Sequence, residues 1–167
     1  MKVTKKLISE VVSQLVGLKA VDIIFFIRGK KDVSELEIAK VMKIDIQEAR
    51  SLLYKLYENN LASFERRRDK HKGWHISHWT FLEDNVPKLY EKGQNEKIDQ
   101  LKKRIHREQG NEFYMCRSAC SRVDFEKAIE IQFKCPECGE LMQPVDNSRT
   151  LEVLNEKLKE LQQAEQV

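Results

Sequence analysis

From the amino terminus, apolar positions recur three and four apart: Leu7, Ile8, Val11, Val12 and Leu15 fall on one face of a helix. After Gly17 the chain is apolar nearly all round, from about Leu18 through Val21, Ile23, Ile24, Phe25 and Phe26 to Arg28, and then meets Gly29. A helix without a polar face belongs at the centre of its domain, and a glycine just past its end suits a C-terminal cap. Ser34-Glu35-Leu36-Glu37 and Asp45-Ile46-Gln47-Glu48 are two capping signals, in which the first side chain accepts from the amide three residues on and the glutamate reaches back. The first predicts a short helix through Val41. The second predicts a helix to about Asn59, with Ala49, Leu52, Leu53, Leu56 and Tyr57 on its buried side. Leu61 to Arg68 and Trp74 to Phe81 then read as strands joined by the glycine-containing loop Asp69 to Gly73. Two capped helices around a tight turn, followed by a hairpin, predict a winged helix-turn-helix domain over residues 1–90.

Helical spacing returns from about Val86 to Gln109, at Leu89, Tyr90, Ile98, Leu101 and Ile105, with a weak point at Gly93 and a face dense in Lys and Glu. Residues 91–112 are therefore expected to be a solvated helical linker, whose face Lys102, Lys103, Arg104 and Arg107 is also a candidate for an acidic partner. A cysteine-bearing segment occupies 113–148. A last helix, 149–167, carries Leu151, Leu154, Leu158 and Leu161 in a short coiled-coil-like stripe. At about two heptads it is too short to dimerise firmly alone and is expected to pack within the chain or against a partner. The fold class is α+β, mainly α.

With 167 residues there is room for one ordinary domain or two small ones, and 41% apolar against 34% charged residues predicts a thin or divided core. No stretch reaches the roughly twenty apolar residues of a membrane span, and the first ten residues lack a signal-peptide core, so a soluble protein in a reducing, intracellular compartment is expected. Thirty basic against 27 acidic side chains leave a net charge of only +3, too little to drive nucleic-acid or membrane binding by bulk attraction. The distribution is uneven: residues 1–90 hold 17 basic and 12 acidic groups, residues 113–148 hold 4 and 6. A basic first part and an acidic cysteine-bearing part favour two domains held by a bridge.

The default use of a winged helix inserts its second helix into the major groove. Here the outward positions Gln47, Glu48, Arg50, Ser51, Tyr54, Lys55 and Glu58 mix acids with bases where phosphates would approach, which argues against strong sequence-specific binding. The hairpin differs. Arg66, Arg67, Arg68, Lys70 and Lys72 crowd its tip, with Trp74 and Trp79 on the returning strand. Cations beside aromatic rings suit a single strand or distorted duplex; the alternative is a solvated turn with at least one Trp packed beneath the wing. His75 and His78 point to opposite faces of a strand and form no metal pair.

Cys116-Arg-Ser-Ala-Cys120 and, after fourteen residues, Cys135-Pro-Glu-Cys138-Gly139 are two short knuckles that supply four thiolates to one tetrahedral zinc. Free thiols or two disulfides are the alternative, disfavoured by a reducing compartment and the ribbon-like spacing. Four protein ligands leave no position for an activated water, so the zinc is expected to be structural. No phosphate loop or open metal site accompanies it, and an enzyme is not expected.

Together these residues resemble the archaeal transcription factor E family, counterpart of the TFIIE alpha subunit. The resemblance covers nearly the whole chain and rests on Ile46 to Phe64, the hairpin Arg66 to Trp79, Phe113-Tyr114 leading into the first knuckle, Phe125-Glu-Lys-Ala128, Phe133-Lys-Cys135-Pro-Glu-Cys138-Gly139 and Asp146-Asn-Ser148. It implies a monomeric general transcription initiation factor of the archaeal cytoplasm that joins RNA polymerase at its clamp and stalk. The same resemblance implies that it assists TATA-binding protein and transcription factor B and favours promoter opening by engaging the non-template strand. It assigns Arg66, Arg67, Arg68, Trp74 and Trp79 to the strand or clamp, and Cys116, Cys120, Cys135 and Cys138 to zinc. One departure is the first knuckle, with three residues between its cysteines where the family usually has two, and without the customary Pro. The competing reading is a dimeric, sequence-specific winged-helix regulator with a structural or sensing zinc site.

Overall fold

A computed structural model describes residues 3–68 and 75–164. The chain divides into two compact units, residues 1–92 and 93–167. The fold is mainly helical α+β.

In the first unit, α1 (Lys5–Leu15) and α2 (Leu18–Ile27) are followed by a two-residue strand β1 (Val33–Ser34), α3 (Glu35–Met42) and α4 (Ile46–Glu58). The hairpin β2 (Ala62–Arg68) and β3 (His75–Phe81) comes next. Ile23, Ile24 and Ile27 of α2 are wholly buried among Ile8 and Val12 of α1, Ile38 of α3, Leu53 and Leu56 of α4, and Trp79 of β3. The apolar second helix thus sits at the centre of its unit. Leu15 departs from the expected stripe and is 43% exposed, because the helix ends on it.

Ser34 and Asp45 cap both helices, by a shorter reach than the sequence predicts and, among the described residues, without the glutamate's return bond. Ser34 Oγ accepts from the Leu36 amide at 3.2 Å and Asp45 Oδ2 from the Gln47 amide at 2.8 Å, two residues on in each case. Between the two helices Lys43 adopts a left-handed conformation (φ 54°), and its amide bonds back to the Ala39 and Lys40 carbonyls. That closes the tight turn without a glycine. Strand β1, which the pattern does not reveal, adds antiparallel to β3 through Val33 opposite Trp79, giving the sheet order β1-β3-β2.

Helix α5 (Val86–Gly110) runs unbroken through Gly93. Gly93 lies mid-helix with open space beside it, so its cost is the modest helix propensity of glycine and not a break. In the second unit β4 (Phe113–Cys116), β5 (Arg122–Asp124) and β6 (Met142–Val145) form an antiparallel sheet in the order β5-β4-β6. The one-and-a-half-turn α6 (Phe125–Glu130) and the final α7 (Ser148–Ala164) complete the unit. Around its cysteines, Cys116, Cys135 and Met142 form a small buried cluster backed by Tyr114, Val123 and Ile131, and Ile98, Ile105, Phe113, Ala128 and Leu154 are buried elsewhere in the unit. Among the described residues no helix is long and apolar enough to cross a membrane.

Candidate metal centre and nucleic-acid interface

Cys116 ends β4, and the chain turns at once: the Ala119 amide bonds to the Cys116 carbonyl at 2.9 Å with Ala119 left-handed (φ 53°). This turn brings the Cys120 amide to 3.2 Å from Cys116 Sγ, so the three-residue knuckle aims a backbone donor at its sulfur. The second knuckle is built from Lys134 pairing with Leu141, Cys135 N–H to the Glu140 carbonyl at 2.8 Å, and Gly139 N–H to the Cys135 carbonyl at 2.8 Å. Gly139 takes φ 73°, where a side chain would be strained. The four sulfurs lie within 4.8 Å of one another, with Cys116 and Cys135 buried and Cys120 and Cys138 exposed.

The electrostatics of that donor set fit a cation. The Ser121 and Cys120 amides hold Cys116 down to about 6 and favour its thiolate. The Glu140 amide favours the Cys138 thiolate too, yet burial and the three neighbouring sulfurs push Cys138 up to about 12. Cys120 is likewise raised, first of all by its bond to Cys116. Four thiolates this close cannot all ionise unaided. A bound divalent cation reverses that repulsion, and tetrahedral sulfur coordination at about 2.3 Å requires sulfurs about 3.8 Å apart, within reach of this cluster. All four positions are then protein ligands.

The wing has a different character. In the hairpin register Phe64 faces Trp79, Arg66 faces Ser77, Arg67 faces Ile76 and Arg68 faces His75. Alternation puts Phe64, Arg66 and Arg68 on one face and Arg67 on the other. The three arginines are exposed, but two are engaged. Arg66 Nη2 donates to Tyr54 Oη at 3.1 Å, and Arg67 Nη2 lies 2.7 Å from Asp32 and 3.0 Å from Glu65. Arg68 makes no ion pair among the described residues. Lys70, Lys72 and Trp74 lie outside the described residues.

Trp79 is a correction to the sequence expectation. It is 0% exposed, with its ring against Phe64 at 4.8 Å and edge-on to Tyr54 at 5.6 Å. A ring enclosed in this way is core and cannot stack on a base. Parity carries the missed signal: Trp79 shares its strand face with the buried Ser77 and Phe81.

Helix α4 is corrected in the same sense. Tyr54, placed outward by the sequence, turns to Trp79 and Phe64, whereas Tyr57, placed inward, is 48% exposed. Arg50 Nη2 is committed to Glu35 at 2.7 Å, and Lys19 pairs with Glu48. Glu35 is itself buried at 2% exposure. The helix that would read bases thus spends Arg50 and Tyr54 on its own domain.

Residues 6–110 match the family described as TFIIE alpha subunit. A protein named transcription factor E from Metallosphaera sedula is 32% identical over 159 residues, 95% of this chain and 90% of that protein. The transcription factor E of Natronomonas pharaonis is 34% identical over 78% of this chain and 74% of its own length, and that of Pyrococcus abyssi 30% identical over 94% and 83%. With the family match running from α1 to the end of α5 and relatives of this identity reaching across both units, the chain belongs to the TFIIE alpha subunit family.

Proposed function

We propose that this protein is a general transcription initiation factor that binds RNA polymerase at the clamp and stalk, assists TATA-binding protein and transcription factor B, and stabilises the opened promoter through the non-template strand. The observation that carries the reading is the pairing of an exposed arginine wing with an α4 whose Arg50 and Tyr54 are tied into the domain. Such a domain neutralises phosphates at its wing without reading a duplex sequence, and its specificity must come from protein partners. The protein acts as a monomer. One structural zinc, held by Cys116, Cys120, Cys135 and Cys138, organises the second unit, since those sulfurs leave no coordination position for chemistry. Its relatives are named as transcription factors, and its role is binding, not catalysis.

The test pairs a pull-down on archaeal RNA polymerase with a permanganate footprint of the promoter bubble. Addition of the protein should increase thymine reactivity in the bubble, and R66Q/R67Q/R68Q should reduce that increase while leaving polymerase retention intact. No retention on polymerase, or stable dimers that bind one duplex sequence selectively, would overturn the reading.

A further inference from the structure

A recess of about 350 Å³ on the second unit is lined by Gln100, Lys103, Arg104 and Arg107 of α5, well apart in the chain from the wing. All four side chains are exposed, and among the described residues none of the three cations makes an ion pair. The contrast is with Arg28, Arg50, Arg67 and Arg122, each bound to a carboxylate. Nor does the local sequence neutralise them. From Gln100 to Arg107 there is no acid; Asp99 lies a turn before Lys103 without reaching it, and Glu108, though near enough to feel the charge of Arg107, is buried and hydrogen-bonded by Arg122. The carboxyl end of a helix favours cations in its last turn, which accounts for Arg107 but not for Lys103 and Arg104 further in.

We infer that this recess is a second nucleic-acid contact, which holds the phosphate backbone of duplex DNA without reading its sequence. Three features of the lining select that partner. Among the described residues it contains no apolar side chain, so a folded or helical protein partner would find no anchor there, and exposed ion pairs alone contribute about 0–1 kcal/mol each. Among the described residues it contains no aromatic ring, so they offer no stacking platform for the bases of a single strand. Its cations are closely spaced: Lys103 and Arg107 are one turn, about 6 Å, apart along the axis, with Arg104 between them, so neighbouring phosphates can be met together. A polyanion gains from such a site through release of condensed counterions, which an isolated acidic side chain does not provide. Gln100 adds an amide donor at one end.

The experiment titrates the full-length protein against a fluorescent duplex of arbitrary sequence at several salt concentrations. K103Q/R104Q/R107Q should weaken binding at least about tenfold at 0.1 M salt and lower the slope of log K against log[salt] by about 2 to 3, near 0.9 per lost phosphate contact. K97Q/R149Q/K157Q removes the same charge from exposed positions outside the recess and should leave the slope within about 1 of the wild type. Far-ultraviolet circular dichroism should be unchanged in both, as every substituted side chain is exposed. Equal losses in the two variants, or no change in slope in the first, overturn the proposal. So does loss of polyglutamate binding with duplex binding intact, which would assign the recess to an acidic protein. The proposal does not depend on the wing: R66Q/R67Q/R68Q should add its own loss independently, and failure of either variant leaves the other interpretable.

Discussion

Glu108 Oε2 lies 2.7 Å from Arg122 Nη2, and its other oxygen 3.2 Å from Nη1, a bidentate pair joining the end of α5 to β5 of the cysteine-bearing sheet. The glutamate side chain is 1% exposed, and Asn147, just before α7, donates to the Glu108 carbonyl at 2.6 Å. The Arg122 guanidinium carbon in turn sits over the Phe113 ring, 3.7 Å from its centroid. Helix, sheet and final helix of the second unit therefore meet at one buried carboxylate. Its pKa is lowered, chiefly by the Arg122 hydrogen bonds, which together with the charge outweigh the cost of burial.

Arg122→Ala leaves that carboxylate buried with Asn147 and the more distant charge of Arg107 as its remaining support. Breaking a buried pair costs about 3–5 kcal/mol, and since Arg122 is about a third exposed the lower end applies. Urea unfolding followed in the second unit should show a loss of about 3 kcal/mol. A loss below about 1 kcal/mol would assign the pair no more weight than a surface contact.

A depressed carboxylate pKa stabilises the fold above the unfolded value, near 4.5, and loses that contribution only as the pH falls through the lower folded value. Between pH 5 and 8 the pair is therefore at full strength. Melting curves of the wild type and Glu108→Gln should run parallel across that range, the variant lower by a constant interval. An interval that closes by pH 5 would contradict the lowered pKa.

How far these features are legible in the sequence depends on how local their causes are. Ser34 and Asp45 announce two helix starts because a cap is a contact two or three residues long, and the knuckles announce four ligands because turn chemistry fixes their spacing. Val33–Ser34 is silent: two residues have no period, and only the partner strand makes them β. The burial of Trp79 depends on Phe64 and Tyr54 arriving from other elements, although its parity with Phe81 points inward. Glu108 is concealed by its own chemistry. It extends the stripe Ile98, Leu101, Ile105 at helical spacing, but a carboxylate on an apolar stripe reads as the edge of a solvated face until its arginine is seen.

Trp79 Nε1 is buried without a hydrogen-bond partner among the described residues, so the indole contributes through its volume. Trp79→Phe gives up no hydrogen bond and should cost about 1–2 kcal/mol, whereas Trp79→Ala opens a cavity costing about 3–5 kcal/mol. Neither exposes a new charge. At a temperature where it is folded, Trp79→Phe should bind single-stranded and duplex DNA like the wild type, measured by anisotropy. A selective loss of single-strand binding in that folded variant would restore the ring to the interface.

The two tryptophans also give a way to watch the metal centre without touching it, because both belong to the first unit. That unit has its own core of α1 to α4 and the hairpin, while the buried cluster around the cysteines of the second consists of Cys116, Cys135 and Met142. A cluster this small, built on two of the four cysteines, is expected to depend on a bound metal for stability. Chelation, or Cys135→Ser, should therefore abolish the melting transition of the second unit and lower far-ultraviolet ellipticity, with tryptophan emission unchanged. Metal analysis should give one zinc per wild-type chain and a marked loss in the variant. Since protons compete for the same sulfurs, zinc affinity should fall as the pH is lowered, even with Cys116 held down to about 6 by the Ser121 and Cys120 amides. A tryptophan red shift on chelation would show that the first unit also depends on the metal, and unchanged zinc content in Cys135→Ser would remove that cysteine from the site.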